Sequence, residues 1–310
     1  MNVLMVGATG PNAGLVLPAL TTRGVAVRAL VRTASGARIA RERGATQVAI
    51  GDLRDQQSLR DAAIDVDGVF HIGPAFAPDE AEMGIAMVNA AKDAGVNKFV
   101  FSSVLHPSIR SMSNHAAKQP VEEAIYASGM DFTVLQPAMF MQNLAGAADA
   151  ARRSGQFAMP YSKRAKVCWV DFRDVAEVAA LAFTTDELSY GTFELSAPGL
   201  VDRVAMAALL SRAMGRPVEA AEVGREPWSA QIAGRPDARR DDTDDGPLRR
   251  PRLPRRQRAR ATCGAASRAA HPRAVLRRGG RPLTRAARGL ESTVIDSPAA
   301  SRTPLRRSCS

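Results

Sequence analysis

The chain has 310 residues, 45% hydrophobic and 24% charged, an ordinary balance for a globular protein large enough to bury a substantial core. No run approaches the ~18 consecutive apolar residues of a membrane helix. The opening Met1-Asn2-Val3-Leu4-Met5-Val6 has neither the basic lead nor the small-residue site of a secretory signal. Three scattered cysteines, Cys168, Cys263 and Cys309, suit neither a disulfide framework nor a zinc site. A cytoplasmic protein without a metal is expected.

The net charge of +11 is unevenly placed. Residues 1–235 hold 23 Lys and Arg against 24 Asp and Glu, whereas residues 236–310 hold 19 against 7. The excess therefore says nothing about the partners of the main body. Beyond Arg235 the last 75 residues contain 19 arginines, 8 prolines, no lysine and no aromatic residue. Stretches such as Pro251-Arg252-Leu253-Pro254-Arg255-Arg256 show neither the helical nor the strand period. Three readings compete for this tail: a nucleic-acid arm, a disordered extension, or out-of-frame translation of a GC-rich gene. A basic arm normally mixes lysine with arginine and adds stacking aromatics, so the reading-frame explanation is preferred and nucleic acid is not an expected partner.

Strands and helices alternate through the body. Val3–Val6 is an apolar run that ends in Gly7-Ala8-Thr9-Gly10, followed by a helical stretch to Thr22 and a stop at Gly24. Val25–Val31 reads as the second strand, Ala34–Arg43 as a polar helix and Gln47–Ile50 as the third strand. A helix over Gln56–Ile64, a strand over Gly68–Ile72 and a helix over 80–94 with Gly95 as its cap follow. Lys98–Ser102 is the fifth strand, 115–128 a helix ending at Gly129, and Phe132–Leu135 the sixth strand. This alternation predicts an α/β fold with a doubly wound parallel sheet. Ligands bind such sheets at the carboxyl ends of the strands, near the point where strand order reverses. Gly7–Ala13, Arg32, Asp52, Ile72, Gly73, Ser102, Ser103 and Pro137–Phe140 are thus expected around one crevice.

Gly7-Ala8-Thr9-Gly10-Pro11-Asn12-Ala13 stands between first strand and first helix, where a dinucleotide fingerprint belongs. Glycines allow backbone to approach a pyrophosphate, the helix start offers amides, and Ala13 satisfies the third, packing position. The competing reading is a structural turn that binds nothing. About 20 residues beyond Gly10, an acid would select NAD through its ribose hydroxyl. Arg32 stands there instead, suited to a 2′-phosphate through a charge-assisted pair, so NADP(H) is expected over NAD(H). Asp52-Leu53 could meet an adenine amino group, or Asp52 could cap the following helix.

The reacting end is sparser. Lys118 could hold a ribose, but Asn114, four residues earlier, cannot act as an acid. His115 could substitute; alternatively it is a polar residue facing water. His71 and His106 lie near strand ends and read as a buried polar residue and a loop residue.

The motifs Gly-Ala-Thr-Gly, Arg28-Ala29-Leu30-Val31-Arg32, Gly51-Asp52-Leu53, Val69-Phe70-His71-Ile72, Lys98-Phe99-Val100-Phe101-Ser102-Ser103, His115-Ala116-Ala117-Lys118 and Phe132-Thr133-Val134-Leu135-Gln136-Pro137 occur in this order. With Met139–Leu144 and Trp169–Ala176, the chain over roughly residues 1–225 resembles the NmrA-like family of atypical short-chain dehydrogenase/reductases. The resemblance implies an NAD(P)-binding Rossmann core at 1–150, a small substrate lobe at 151–235 with strand and helix returns to the core, and the tail at 236–310. It implies that Gly7–Asn12 cradle the pyrophosphate, Arg32 the 2′-phosphate, Lys118 the nicotinamide ribose, and that Pro137, Met139, Phe140 and the residues to Asn143 line the nicotinamide. Two positions depart from the family pattern: Asn114 replaces the tyrosine of Tyr-x-x-x-Lys, and Gln136 replaces a common arginine. The function this implies is hydride transfer from NADPH to a quinone-like or conjugated small-molecule acceptor, with Lys118 and His115 as the catalytic candidates. The alternative is a non-catalytic redox sensor acting through a protein partner. A homodimer stays open.

Overall fold

A computed structural model describes residues 1–223, together with the backbone of residues 275–278 and 281–282. In chain order its first half contains β1 (Asn2–Val6), α1 (Val16–Thr22), β2 (Ala26–Val31), α2 (Ala34–Glu42), β3 (Gln47–Ile50), α3 (Gln56–Ala63), β4 (Gly68–His71), α4 (Glu80–Asp93) and β5 (Lys98–Ser102). Then come α5 (Ser113–Ala116), α6 (Gln119–Tyr126), β6 (Asp131–Pro137), β7 (Met139–Phe140), α7 (Ala145–Ser154) and β8 (Gln156–Met159). The chain continues through β9 (Trp169–Val170), α8 (Phe172–Thr184), β10 (Gly191–Ser196), α9 (Arg203–Met214) and β11 (Glu219–Glu222), and the backbone of β12 (Val275–Arg278) and β13 (Arg281–Pro282) is also described.

Seven parallel strands lie in the order β3-β2-β1-β4-β5-β6-β10, with β12 and β13 antiparallel beyond β10. Order reverses between β1 and β4, as a doubly wound sheet requires. Side chains alternate between the two faces, and both are apolar. Val3 and Met5 of β1 join Phe70, Val100 and Leu135 under α1, α2 and α8, while Leu4 and Val6 join Val69, Phe99, Phe101 and Val134 under α3, α4 and α6. Each fully buried Val, Leu or Phe side chain contributes roughly 1.5–3 kcal/mol.

The strand–helix alternation and parallel sheet expected from the sequence are borne out, and Gly95 adopts the left-handed φ of +72° foreseen for its cap. One helix differs. The stretch read as continuous over 115–128 is two short helices, because the Pro120 ring cannot follow the carbonyl of Ala116 in a helical turn. Pro120 instead occupies the first turn of α6, where its missing N–H costs nothing. Lys118 therefore sits at the junction, as the residue preceding α6.

A second, smaller cluster joins α7, β8, α9 and β11, with β8 parallel to β11. Ala151, Phe157, Ala207 and Val218 are its core. Arg203 is buried within it and donates from Nη1 to the Ala221 carbonyl (2.6 Å) and from Nη2 to that of Tyr161 (2.5 Å). Between the two halves of this lobe the chain returns to the main core through β9, α8 and β10. Apart from β12 and β13, the Arg/Pro-rich segment 236–310 lies outside the described residues. Among the described residues no helix is long and apolar enough to cross a membrane.

Close helix packing positions the site. At Gly84 of α4, an added Cβ would lie 2.4 Å from Cγ2 of Val121 on α6, and Val121 is buried and β-branched. Gly84→Ala should lower stability by about 1–3 kcal/mol through overpacking, outweighing a gain of about 1 kcal/mol in helix propensity. Urea unfolding monitored by far-UV circular dichroism checks this; a more stable variant would contradict the contact.

Candidate functional site

At the end of β1 the backbone turns sharply at Gly7, whose φ is +84°. A side chain there would be strained by the backbone and would meet Cγ2 of Ile72 at 2.9 Å and Cβ of Ala13 at 3.0 Å. The turn closes through Gly10 N–H to the Gly7 carbonyl (2.9 Å). Ala13, at the third fingerprint position, is buried and begins a 3-10 turn over Ala13–Leu15 that leads into α1. Ile72, directly after β4, backs the loop from the other side of the strand-order reversal. Arg43, at the end of α2, reaches under the loop and donates from Nη1 to the carbonyls of Ala8 and Gly10, each at 2.9 Å. This engages two loop carbonyls from one side and adds a positive charge beside Gly7–Asn12. Arg43 was not foreseen, since nothing local marks an arginine so distant in sequence as a partner of the loop.

Arg32 follows β2 directly, is exposed, and has no hydrogen-bond or ion-pair partner among the described residues. Next to it Thr33 caps α2, its Oγ1 accepting from Gly36 N–H (3.1 Å). Asp52, at the end of β3, accepts from Arg54 N–H (2.9 Å) and does not cap α3. That role belongs to Asp55, which accepts from Gln57 and Ser58 N–H at 3.0 and 3.3 Å, because α3 begins only at Gln56. Leu53 packs against the cluster under α3, α4 and α6.

The ends of β4, β5 and β6 carry the other candidates. Ser102 is fully buried, and its Oγ has no hydrogen-bond partner among the described residues. Gly73 follows Ile72. Pro137 ends β6, and Met139 and Phe140 form β7, where Phe140 meets Phe172 edge-on at 4.7 Å. Gln142 accepts from the N–H of Phe172, the first residue of α8 (3.0 Å), and donates to Asp171, the residue that caps α8 (2.7 Å). Asp171 is held down at about 2, chiefly by its hydrogen bonds with Arg173. His115 lies in α5 with Nδ1 3.0 Å from the His106 carbonyl, and Asn114 Oδ1 is buried without a partner among the described residues.

Just inside this edge lies a buried polar layer. Lys118 forms an ion pair with Glu80, the first residue of α4, and both side chains are almost fully buried. Burial pulls the Lys118 ammonium down to about 8. His71 ends β4, stacks on Phe101 at 5.6 Å and has no hydrogen-bond partner at either ring nitrogen among the described residues. Burial, and then the Lys118 charge, lowers it to about 3, so its imidazole is neutral near pH 7. On α6, Glu122 accepts from Ser103 Oγ (2.5 Å), Gln136 Nε2 (3.0 Å) and Tyr126 OH (3.2 Å). Gln136, one of the two departures from the family pattern, thus meets this carboxylate with a neutral amide. Glu80 and Glu122 escaped sequence reasoning because each stands in a first helical turn, where acids are common for local reasons. No group of three or more metal-ligating side chains occurs among the described residues.

An NAD(P)H azoreductase of Xenophilus azovorans is 36% identical over 241 residues, covering 75% of this chain and 80% of the relative. The NADPH-dependent quinone oxidoreductase of Escherichia coli, solved with NADPH, superposes with a TM-score of 0.68 at 24% identity, over 78% of this chain and 87% of that one. A Citrobacter sp. triphenylmethane reductase solved with NADP(H) gives a TM-score of 0.67 at 22% identity, over 75% and 83%. These two likenesses establish the fold. The NmrA-like family matches residues 1–239, ending close to where the composition changes, and the chain belongs to that family.

Proposed function

We propose that this protein is an NADPH-dependent oxidoreductase that delivers hydride to a quinone-like or other conjugated acceptor. The observation that carries the reading is the Gly7–Asn12 loop at the strand-order reversal, with Arg32 at the end of β2 lacking a partner among the described residues. The 36% identity to an azoreductase supports catalysis over a purely sensing role.

The residues fit the cofactor. Gly7, Ala8, Thr9, Gly10, Pro11 and Asn12 would hold the pyrophosphate with backbone amides at the start of the first helix. Arg32 would take the 2′-phosphate, and Asp52 with Leu53 would flank the adenine. Ile72 and Gly73 would border the centre of the crevice, while Pro137, Met139 and Phe140 would line the nicotinamide. Ser102 Oγ and Asn114 Oδ1, buried and without partners among the described residues, offer hydrogen bonds that a ligand would complete. Lys118 Nζ would bind the nicotinamide ribose. When bound, NADPH supplies the hydride. His115 is the nearby candidate to move a proton, through its Nε2. Asn114 cannot protonate a substrate, which suits an acceptor whose reduced form spreads its charge over a conjugated system and takes a proton later from water.

Arg32→Ala should weaken NADPH by about 1–3 kcal/mol, the range for a lost charge-assisted contact, and leave NADH nearly unchanged in calorimetric titrations. Equal losses would remove the assignment of Arg32 to a 2′-phosphate. Lys118 binds best while charged, so NADPH affinity should hold below about pH 8 and fall above it. Steady-state oxidation of NADPH by a panel of quinones, azo dyes and triphenylmethane dyes tests the activity itself. Tight NADPH binding with no turnover across the panel would favour the sensor.

A further inference from the structure

We propose that Glu80 is a positioning residue for Lys118, holding its ammonium charged and fixed at the carboxyl edge of the sheet. The proposal rests on the reading of Lys118 as the ribose-binding residue and assigns a function to a side chain outside the crevice-lining set.

Three features show that the pair is built into the fold. Glu80 is 1% exposed and Lys118 6%, so neither charge is solvated and each depends on the other. The carboxylate is itself anchored, because Oε2 accepts from Phe76 N–H at 3.2 Å. Phe76 makes that contact with a φ of +65°, a conformation that costs a residue with a side chain on the order of 1–3 kcal/mol. Finally, Gly73 leaves the space the carboxylate occupies: a Cβ there would stand 2.7 Å from Glu80 Oε1 and 3.0 Å from its Cγ. The β4–α4 connection thus wraps around Glu80 by lacking a side chain at one point and adopting a strained backbone at another. Arg54 ties down the start of α4 through Asp79, at 2.5 and 2.8 Å.

A buried ion pair is weak as a source of stability, since desolvation offsets most of the attraction. Its value here lies in what it does to Lys118. Burial lowers the ammonium to about 8, and the touching carboxylate opposes that fall by favouring the charged form. The other titratable groups around Lys118 do not replace Glu80. His71 on β4 is neutral, Glu122 on α6 is engaged by Ser103, Gln136 and Tyr126, and His115 on α5 has Nδ1 against the His106 carbonyl.

The test is calorimetric titration of the full chain and of Glu80→Gln, Lys118→Met and the double variant, with NADPH and with 2′,5′-ADP, which carries only the adenosine end. Glu80→Gln should bind 2′,5′-ADP like the parent and NADPH about tenfold more weakly, the factor for one charge-assisted contact disturbed. Its loss of NADPH affinity with rising pH should begin about one unit lower than in the parent. Adding Glu80→Gln to Lys118→Met should weaken NADPH no further. If Lys118→Met weakens NADPH and Glu80→Gln does not, the Lys118 reading stands and the proposal fails. If Lys118→Met leaves NADPH unchanged, the ribose reading fails and the proposal with it. Equal loss of 2′,5′-ADP and NADPH in Glu80→Gln would make Glu80 a support of the fold, and would also overturn the proposal.

Discussion

Burial of the sheet on both faces governs where chemistry can occur in this protein. With Val3, Met5, Phe70 and Val100 covered on one side and Leu4, Val69, Phe99 and Phe101 on the other, the middle of the sheet is closed to ligands and only residues at the strand ends can meet one. Substrate-sized molecules can approach only where strands end. The reversal of order between β1 and β4 opens a gap there, because neighbouring connections leave toward opposite faces. Gly7 turns the chain in that gap, and Ile72 presses against the turn from the adjacent strand.

The layer immediately inside that edge is unusual in being polar and buried. Lys118 with Glu80, and Ser103, Gln136 and Tyr126 with Glu122, form two separate sets in which each carboxylate has specific partners. His71, close enough to feel the Lys118 charge, has no hydrogen bond among the described residues and is tolerated because it is neutral and stacked on Phe101. Such an arrangement is costly to leave incomplete, which ties the geometry of α4 and α6 to the carboxyl edge. The close approach at Gly84 and Val121 is the apolar counterpart that brings these two helices together.

The alternation of elements was legible because it depends on local period: short apolar runs punctuated by glycine can hardly form anything else. The division at Pro120 was misread even though the residue was visible, because helical composition on both sides masked a rule about one carbonyl. Of the two readings open for Asp52, the cap falls to Asp55 instead, the residue directly before α3, which begins at Gln56 as its period indicated. The glycine loop and Arg32 could be located from position along the chain, since their significance lies in being next to a strand end. Arg43, Glu80 and Glu122 could not, because each acts on a residue at least 14 positions away, such as Gln136, or as many as 38, such as Lys118.

The amino-acid sequence by itself determined the strand–helix alternation, the glycine turn after β1 and the cation at the end of β2. Those features follow from periodicity and from the conformational freedom of single residues. Tertiary structure decided which buried charges meet: Glu80 with Lys118, Glu122 with Ser103 and Gln136, and Arg43 with the loop carbonyls. Their partners come from different helices and strands, and a charge carries no mark of its partner until packing removes both from water.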